Sequence, residues 1–330
     1  MPPRASAQSD RSEHRHRRRP ESRLVITDIV YAEIHDRIAA HPPERGGALY
    51  GPRHYPFVTH FEYDEAGRTS AVSYVPSTRL IANVPRIERE TGLQFKGIIH
   101  SHPRGLTRPS LGDEQTVGSF FRLNPHLSQM ALPIVQPVPP SQGRAADDGR
   151  RFLNWYRAER AGPDTPSATA ARSTARATGG FAEAGLSQSG FAQTGLFQTR
   201  TAPIPVPSTV RIVDEDFHVL PLREHMGWLV AELRRLGIPL TVDPALQPLK
   251  VHNAELIGLS ACEPAGASPR ELYFFVSIDY PVVPPVVLRA TGGTTTQLTF
   301  SWDGFGDLPR SLSAVARAFT HSDRRPLETP

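Results

Sequence analysis

Sulfur and lysine are nearly absent from this chain. Its 330 residues include one cysteine, Cys262, and three methionines. A single thiol excludes an intrachain disulfide and fits a reducing compartment. Lysine occurs only at positions 96 and 250, although lysine and arginine together number 37. With abundant alanine and proline, that bias reads as the imprint of a GC-rich genome rather than of a function. No stretch approaches the roughly 18 apolar residues of a membrane span. The N-terminus has no apolar signal core. The expectation is a cytoplasmic protein that neither crosses nor binds a membrane.

Net charge is also scarce outside one segment. The formal charge is +4, and residues 1–23 carry all of it, with seven arginines and three acids. The remainder balances to zero. The tail holds R-H-R-R-R at 15–19 and almost no large apolar residue, so it should be disordered. No aromatic residue is interleaved to stack on bases, and a nucleic-acid role is not expected.

What is present is a compact polar motif. His100, Ser101 and His102 are followed by Ser110 and Asp113 in H-S-H-P-R-G-L-T-R-P-S-L-G-D. The preceding residues, Phe95 to Ile99, are short and apolar and read as a buried strand. Residues i and i+2 of a strand share a face, so His100 and His102 can reach one ion while Ser101 faces away. Pro103 ends the strand. Ser110 reads as a helix N-cap, with Asp113 in the first turn of a helix through Val117 and Phe121. A carboxylate there can turn back toward the imidazoles. Glu44 stands upstream in E-R-G-G-A-L-Y-G. Glu114 reads as a first-turn helix charge. His54, His60 and His126 have no partner at a ligand spacing and read as non-functional.

These residues resemble the JAMM/MPN+ zinc metalloprotease family. Its pattern is a distant Glu, then H-[ST]-H-x7-S-x2-D, and Glu44, His100, Ser101, His102, Ser110 and Asp113 fill every position. Gly46, Gly47 and Pro109 match the flanks. The resemblance covers about residues 24–160. It implies an α/β fold, a mixed β-sheet flanked by helices. It implies one Zn²⁺ held by His100, His102 and Asp113, with water in the fourth position. Glu44 would be the general base and Ser110 an oxyanion donor. An N-capping Ser110 could not do both tasks in one rotamer. The substrate implied is a ubiquitin-like protein ending in Gly-Gly, or its conjugates.

Along the chain, the tail 1–23 precedes a metalloprotease-like unit at 24–160. In it, Leu24 to Val30 reads as strand into helix, with the helix running from Tyr31 to Ala40. Phe57 to Tyr63 and Ala71 to Val75 read as strands, and Asn83 to Thr91 as a helix. Met130 to Val135 and Phe152 to Ala158 read as closing strands. Residues 161–208 read as a low-complexity linker with a decapeptide duplication at 180–199. A second unit spans 209–323, before a short tail at 324–330. Its helix presents Leu222, Met226, Leu229, Val230, Leu233 and Leu236 on one face. Strands follow at Lys250 to Ser260 and Leu272 to Ile278. After them come Tyr280-Pro281-Val282-Val283-Pro284-Pro285 and a helix capped by Ser311 and ending at Phe319. This order resembles the α+β ubiquitin-conjugating (UBC) fold. Nothing after Pro285 is a cysteine, so the resemblance implies a binding domain without its nucleophile. Cys262 reads as a buried or loop thiol.

The function expected is a zinc-dependent isopeptidase or peptidase cutting after Gly-Gly, in deconjugation or precursor processing. Its second unit would hold the modifier or a conjugation or sulfur-transfer enzyme. The alternative is a non-catalytic adaptor in such a pathway.

Overall fold

The structure is a computed structural model, and it describes residues 24–42, 44–53, 56–69, 74–138, 152–161, 210–251, 254–264, 269–304 and 306–321. The basic tail, the duplication at 180–199, His54 and residues 71–73 of one expected strand lie outside these.

Strand β1 (Leu24–Thr27) runs directly into helix α1 (Asp28–Ile34). The Thr27 hydroxyl accepts from the Val30 N–H, and Asp28 places a carboxylate in the first turn. The helix continues as a π turn over His35–Ala39, and Ile34, Ile38 and Ala39 are buried. Next come β2 (Gly46–Gly51), β3 (Phe57–Val58) and β4 (His60–Tyr63). The expected single strand at 57–63 is thus broken at Thr59. β3 joins β1, while β4 pairs with β2. β5 (Arg68–Thr69) and β6 (Tyr74–Val75) form a hairpin.

Helix α2 (Thr78–Thr91) starts earlier than Asn83, because the Ser77 hydroxyl caps it by accepting from the Leu80 N–H. Pro85 lies inside the helix rather than in its first turn. Strand β7 (Gln94–Ser101) and helix α3 (Leu111–Leu123) follow. The sheet is completed by β8 (Gln129–Ala131), β9 (Ile134–Val135), β10 (Leu153–Asn154), β11 (Tyr156–Arg160) and β12 (Val210–Asp214).

β7 is central. It runs antiparallel to β2 and parallel to both β8 and β9, giving the mixed α/β sheet expected. Gly97 makes this pairing possible. Its φ is 157°, and a Cβ there would lie 1.9 Å from the Ala131 carbonyl oxygen.

The second unit contains α4 (Leu222–Arg235) and an antiparallel meander. The meander is β14 (Thr241–Val251), β15 (Ala254–Cys262), β16 (Arg270–Val276), β17 (Val286–Thr291) and β18 (Thr294–Gln297). Helix α5 (Leu308–His321) ends the described chain. Leu222, Met226, Leu229 and Leu233 pack with Leu259, Phe274, Val315 and Phe319. Each such fully buried side chain contributes about 1.5–3 kcal/mol.

Several expectations for this unit are corrected. β14 begins well before Lys250 despite Pro244 and Pro248, because it is an edge strand with a register shift between Asp243 and Gln247. Asp307, not Ser311, caps α5 by accepting from the Arg310 N–H. Ser311 is buried, and its Oγ accepts from the Asp303 N–H. Leu236 lies past the helix and is exposed. Cys262 is an exposed thiol at the end of β15.

The boundary at 209 is also displaced. β12 pairs antiparallel with β11, with Arg160 opposite Val210, so it belongs to the first sheet. β13 (Phe217–Leu220) pairs in parallel with β1. Helix α4 begins at Leu222, just after β13. Residues 161–208 therefore join two neighbouring strands of one sheet. Val25, Ile29 and Phe57 of the first unit also enter the core of the second. The Asp28 carboxylate accepts from the N–H groups of Arg223 and Glu224, capping α4 from the other unit.

Candidate metal centre

The C-terminal end of β7 carries the site. His100 lies opposite Gly46 on one side and Ile134 on the other. His102 sits one residue past the strand, held by its N–H to the Val135 carbonyl at 3.0 Å. Both imidazoles are buried. Their Nε2 atoms converge to 2.9 Å.

Ser101 faces away from this point, as its place between the histidines requires. Its Oγ accepts from the Arg45 N–H at 2.9 Å, and its N–H donates to the Arg45 carbonyl at 2.7 Å. The residue next to Glu44 is thereby fixed to the strand that bears the histidines. Glu44 is only 2% exposed. One carboxylate oxygen of Glu44 and one ring nitrogen each of His100 and His102 lie within 4.8 Å of one another.

Asp113 closes the cluster from α3. Its Oδ1 lies 3.0 Å from His100 Nε2 and its Oδ2 3.3 Å from His102 Nε2. The position is set by a capping box. Ser110 Oγ accepts from the Asp113 N–H at 3.2 Å, and Asp113 Oδ2 accepts from the Ser110 N–H at 2.6 Å. Ser110 is therefore the N-cap. The conflict expected between its two tasks does not arise, because a hydroxyl that accepts a hydrogen bond keeps its own proton to donate. Glu114 does lie in the first turn, but buried. His60 and His126 are exposed and stand apart from the cluster.

The electrostatics follow from burial and proximity. Burial pushes the Glu44 carboxyl above its ordinary range, although both imidazoles pull it down. Burial also pushes His102 down, but the Asp113 carboxylate, with Glu44 and the Leu106 carbonyl, outweighs it and holds the ring above its usual value. Burial raises Asp113 as well, yet hydrogen bonds from His100 and His102 hold it far below the carboxylate range.

The donors fit a divalent metal. His102 Nδ1 lies 3.1 Å from the Leu106 carbonyl, which can only accept, so Nδ1 carries a proton, and in the neutral ring Nε2, now facing Asp113, has its lone pair to give to a metal. The two Nε2 atoms at 2.9 Å, with a shared carboxylate, suit zinc, and the buried His100 Nδ1 has no hydrogen-bond partner.

Tyr74 and Gln136 carry no signal in the sequence. The Tyr74 ring stacks on His100 with centroids 6.0 Å apart, and its hydroxyl donates to Asp64 at 2.9 Å. Gly46 makes room for it, since a Cβ there would lie 2.4 Å from the Tyr74 ring and 2.7 Å from the Ile99 carbonyl oxygen. A narrow cleft beside His100 and Asp113 is lined by Tyr74, Ile98, Thr116, Val117 and Leu132. Gln136 braces the loop after His102.

Residues 27–126 match the family described as prokaryotic homologs of the JAB domain. Among solved structures, protein DSY2949 from Desulfitobacterium hafniense is 20% identical, with a TM-score of 0.31, over 40% of this chain and 82% of that one. AF2198, a JAB1/MPN domain protein from Archaeoglobus fulgidus, is 16% identical, with a TM-score of 0.22, over 40% of this chain and 86% of its own. No curated protein matches the chain. Residues 27–126 are similar to JAB-type domains, and the motif from Glu44 to Asp113 lies within that stretch. Among the described residues, no helix is long and apolar enough to cross a membrane.

Proposed function

We propose that this protein is a zinc-dependent peptidase that hydrolyses the peptide or isopeptide bond after the C-terminal Gly-Gly of a ubiquitin-like protein. The observation that carries the reading is Glu44. It is a buried carboxylate beside two imidazoles that already share Asp113. A structural site closes its coordination sphere and has no use for a base.

His100, His102 and Asp113 would hold the metal. Zinc bound there would supply Lewis acidity that lets water ionise near neutral pH. Glu44 takes the proton from the attacking water and returns it to the leaving amine. Its carboxyl, raised by burial, accepts that proton more readily than a solvated one would. The Ser110 hydroxyl donates to the developing oxyanion. The narrow cleft beside His100 suits an extended segment with small side chains. The second unit, a UBC-like domain without a cysteine after Pro285, binds the modifier or a partner enzyme. A conjugation enzyme and a sulfur-transfer enzyme are both candidates for that partner. Asp28 and the shared core fix this unit to the peptidase unit, so a captured modifier stays at high local concentration.

The test is cleavage of ubiquitin-like proteins carrying a C-terminal extension after Gly-Gly. Chelation should abolish cleavage and zinc should restore it. Absence of cleavage with zinc bound, together with retention of a ubiquitin-pathway partner, would favour the adaptor reading instead.

A further inference from the structure

We infer that Gln136 is a positioning residue for His102, acting through the Leu106 carbonyl. The inference rests on the metal-centre reading, since it assigns how one ligand of that centre is aimed.

The loop from Arg104 to Arg108 is exposed at every residue, and Leu106 itself is 59% exposed. Apolar packing therefore does not fix it. Yet the Leu106 carbonyl is the acceptor for His102 Nδ1. The Leu106 N–H closes a turn on the Pro103 carbonyl at 3.0 Å, but that bond does not engage the Leu106 oxygen, which Gln136 holds. Its Nε2 donates to the Leu106 oxygen at 2.9 Å, and its Oε1 accepts from the Gly105 N–H at 2.9 Å. One side-chain amide thus grips two consecutive residues of the loop. Gly105 adopts φ +90°, a conformation that L side chains rarely take.

Gln136 is itself rigid. It follows β9 directly, its backbone N–H donates to the Phe152 carbonyl at 2.6 Å, and it is buried. Its neighbour Val135 accepts from the His102 N–H at 3.0 Å. Val135 and Gln136 therefore fix His102 at both backbone and ring. The task needs a donor and an acceptor on one planar group. A carboxylate would face the Leu106 oxygen with a second acceptor, and an aliphatic chain would offer nothing.

The test compares the full-length protein with Gln136→Leu and Gln136→Glu. In metal-free wild type, a ring N–H proton of His102 should resonate downfield and exchange slowly with solvent. Its loss in His102→Ala assigns it. In both Gln136 variants this signal should be lost to fast exchange. Zinc affinity should fall about 10–100-fold, as for other supports of a ligating histidine. A cooperative metal-free melt in Gln136→Glu guards against simple unfolding, because that variant keeps the bond from Gly105. The inference is overturned if the ring proton is absent from wild type. It is equally overturned if both variants keep the proton and bind zinc as wild type does. If the ring proton behaves as expected but wild type binds no zinc, the positioning role stands and the metal-centre reading falls.

Discussion

Among the described residues, histidines are buried in two places, with opposite results. In the first unit, His100 and His102 share the Asp113 carboxylate, and Glu44 lies beside them. In the second, His225 on α4 bonds the Tyr280 hydroxyl and lies against the Trp228 ring. Burial pushes both His102 and His225 toward neutrality. At His102 the carboxylates reverse that push, whereas at His225 the more weakly felt Asp28 does not. Burial of an imidazole does not make a site. A carboxylate shared between two imidazoles, with a further acid at hand, gives a donor set that could hold a metal. His225 is a satisfied core residue.

The contrast breaks most visibly at the acids. Glu44→Gln should keep its zinc and lose about 10²–10⁴-fold in kcat, the contribution of a general base. His102→Ala should lose both metal and turnover. Metal analysis beside steady-state kinetics checks this, and equal losses in the two variants would remove Glu44 from the role of base.

At the other histidine, Tyr280→Phe should cost about 1–3 kcal/mol by leaving the buried His225 ring without its partner. Zinc affinity should not change. Denaturant unfolding with zinc titration separates the two effects, and a loss of zinc would mean that the clusters are not independent. Asp28→Ala, which uncaps α4, should cost about 0.5–2 kcal/mol, read from the same unfolding curves.

The subtlest difference is the sign of the pH dependence in chelated protein. His102 has a folded pKa above its unfolded value of ~6.5. The stability it contributes is present below that value and is lost as pH rises through the folded one. His225 has a folded pKa below its unfolded value. Stability is full above ~6.5 and falls as pH drops, because the unfolded chain takes a proton that the fold resists. Melting across pH should therefore flatten on the alkaline side in His102→Ala and on the acid side in His225→Leu. Identical profiles would erase the distinction.

The sequence made the site more legible than its surroundings. The alternation of His100 and His102, and Asp113 at the third helical position after Ser110, are local consequences of strand and helix geometry. Glu44 was found through its Gly-Gly flank, and the structure gives that flank a cause in the Tyr74 ring and the Glu62 carbonyl oxygen. Gln136 falls one residue past the strand expected at Met130 to Val135, and its importance depends on a carbonyl 30 residues away. β14 and α2 both start earlier than their sequence pattern suggests, because an edge strand tolerates Pro244 and Pro248 and the helix interior tolerates Pro85. The unit boundary was drawn from composition. Composition cannot reveal that β12 returns to β11, since that pairing is a long-range contact.

That return has a practical consequence. Because Arg160 sits opposite Val210, the chain leaves the sheet and comes back at one spot. The entropy of closing such an excursion grows only with the logarithm of its length. Insertions or deletions between 162 and 208 should scarcely move the melting temperature. A protease nicking that stretch would release nothing: the two fragments would stay zipped along β11 and β12, travel together through gel filtration, and separate only in denaturant.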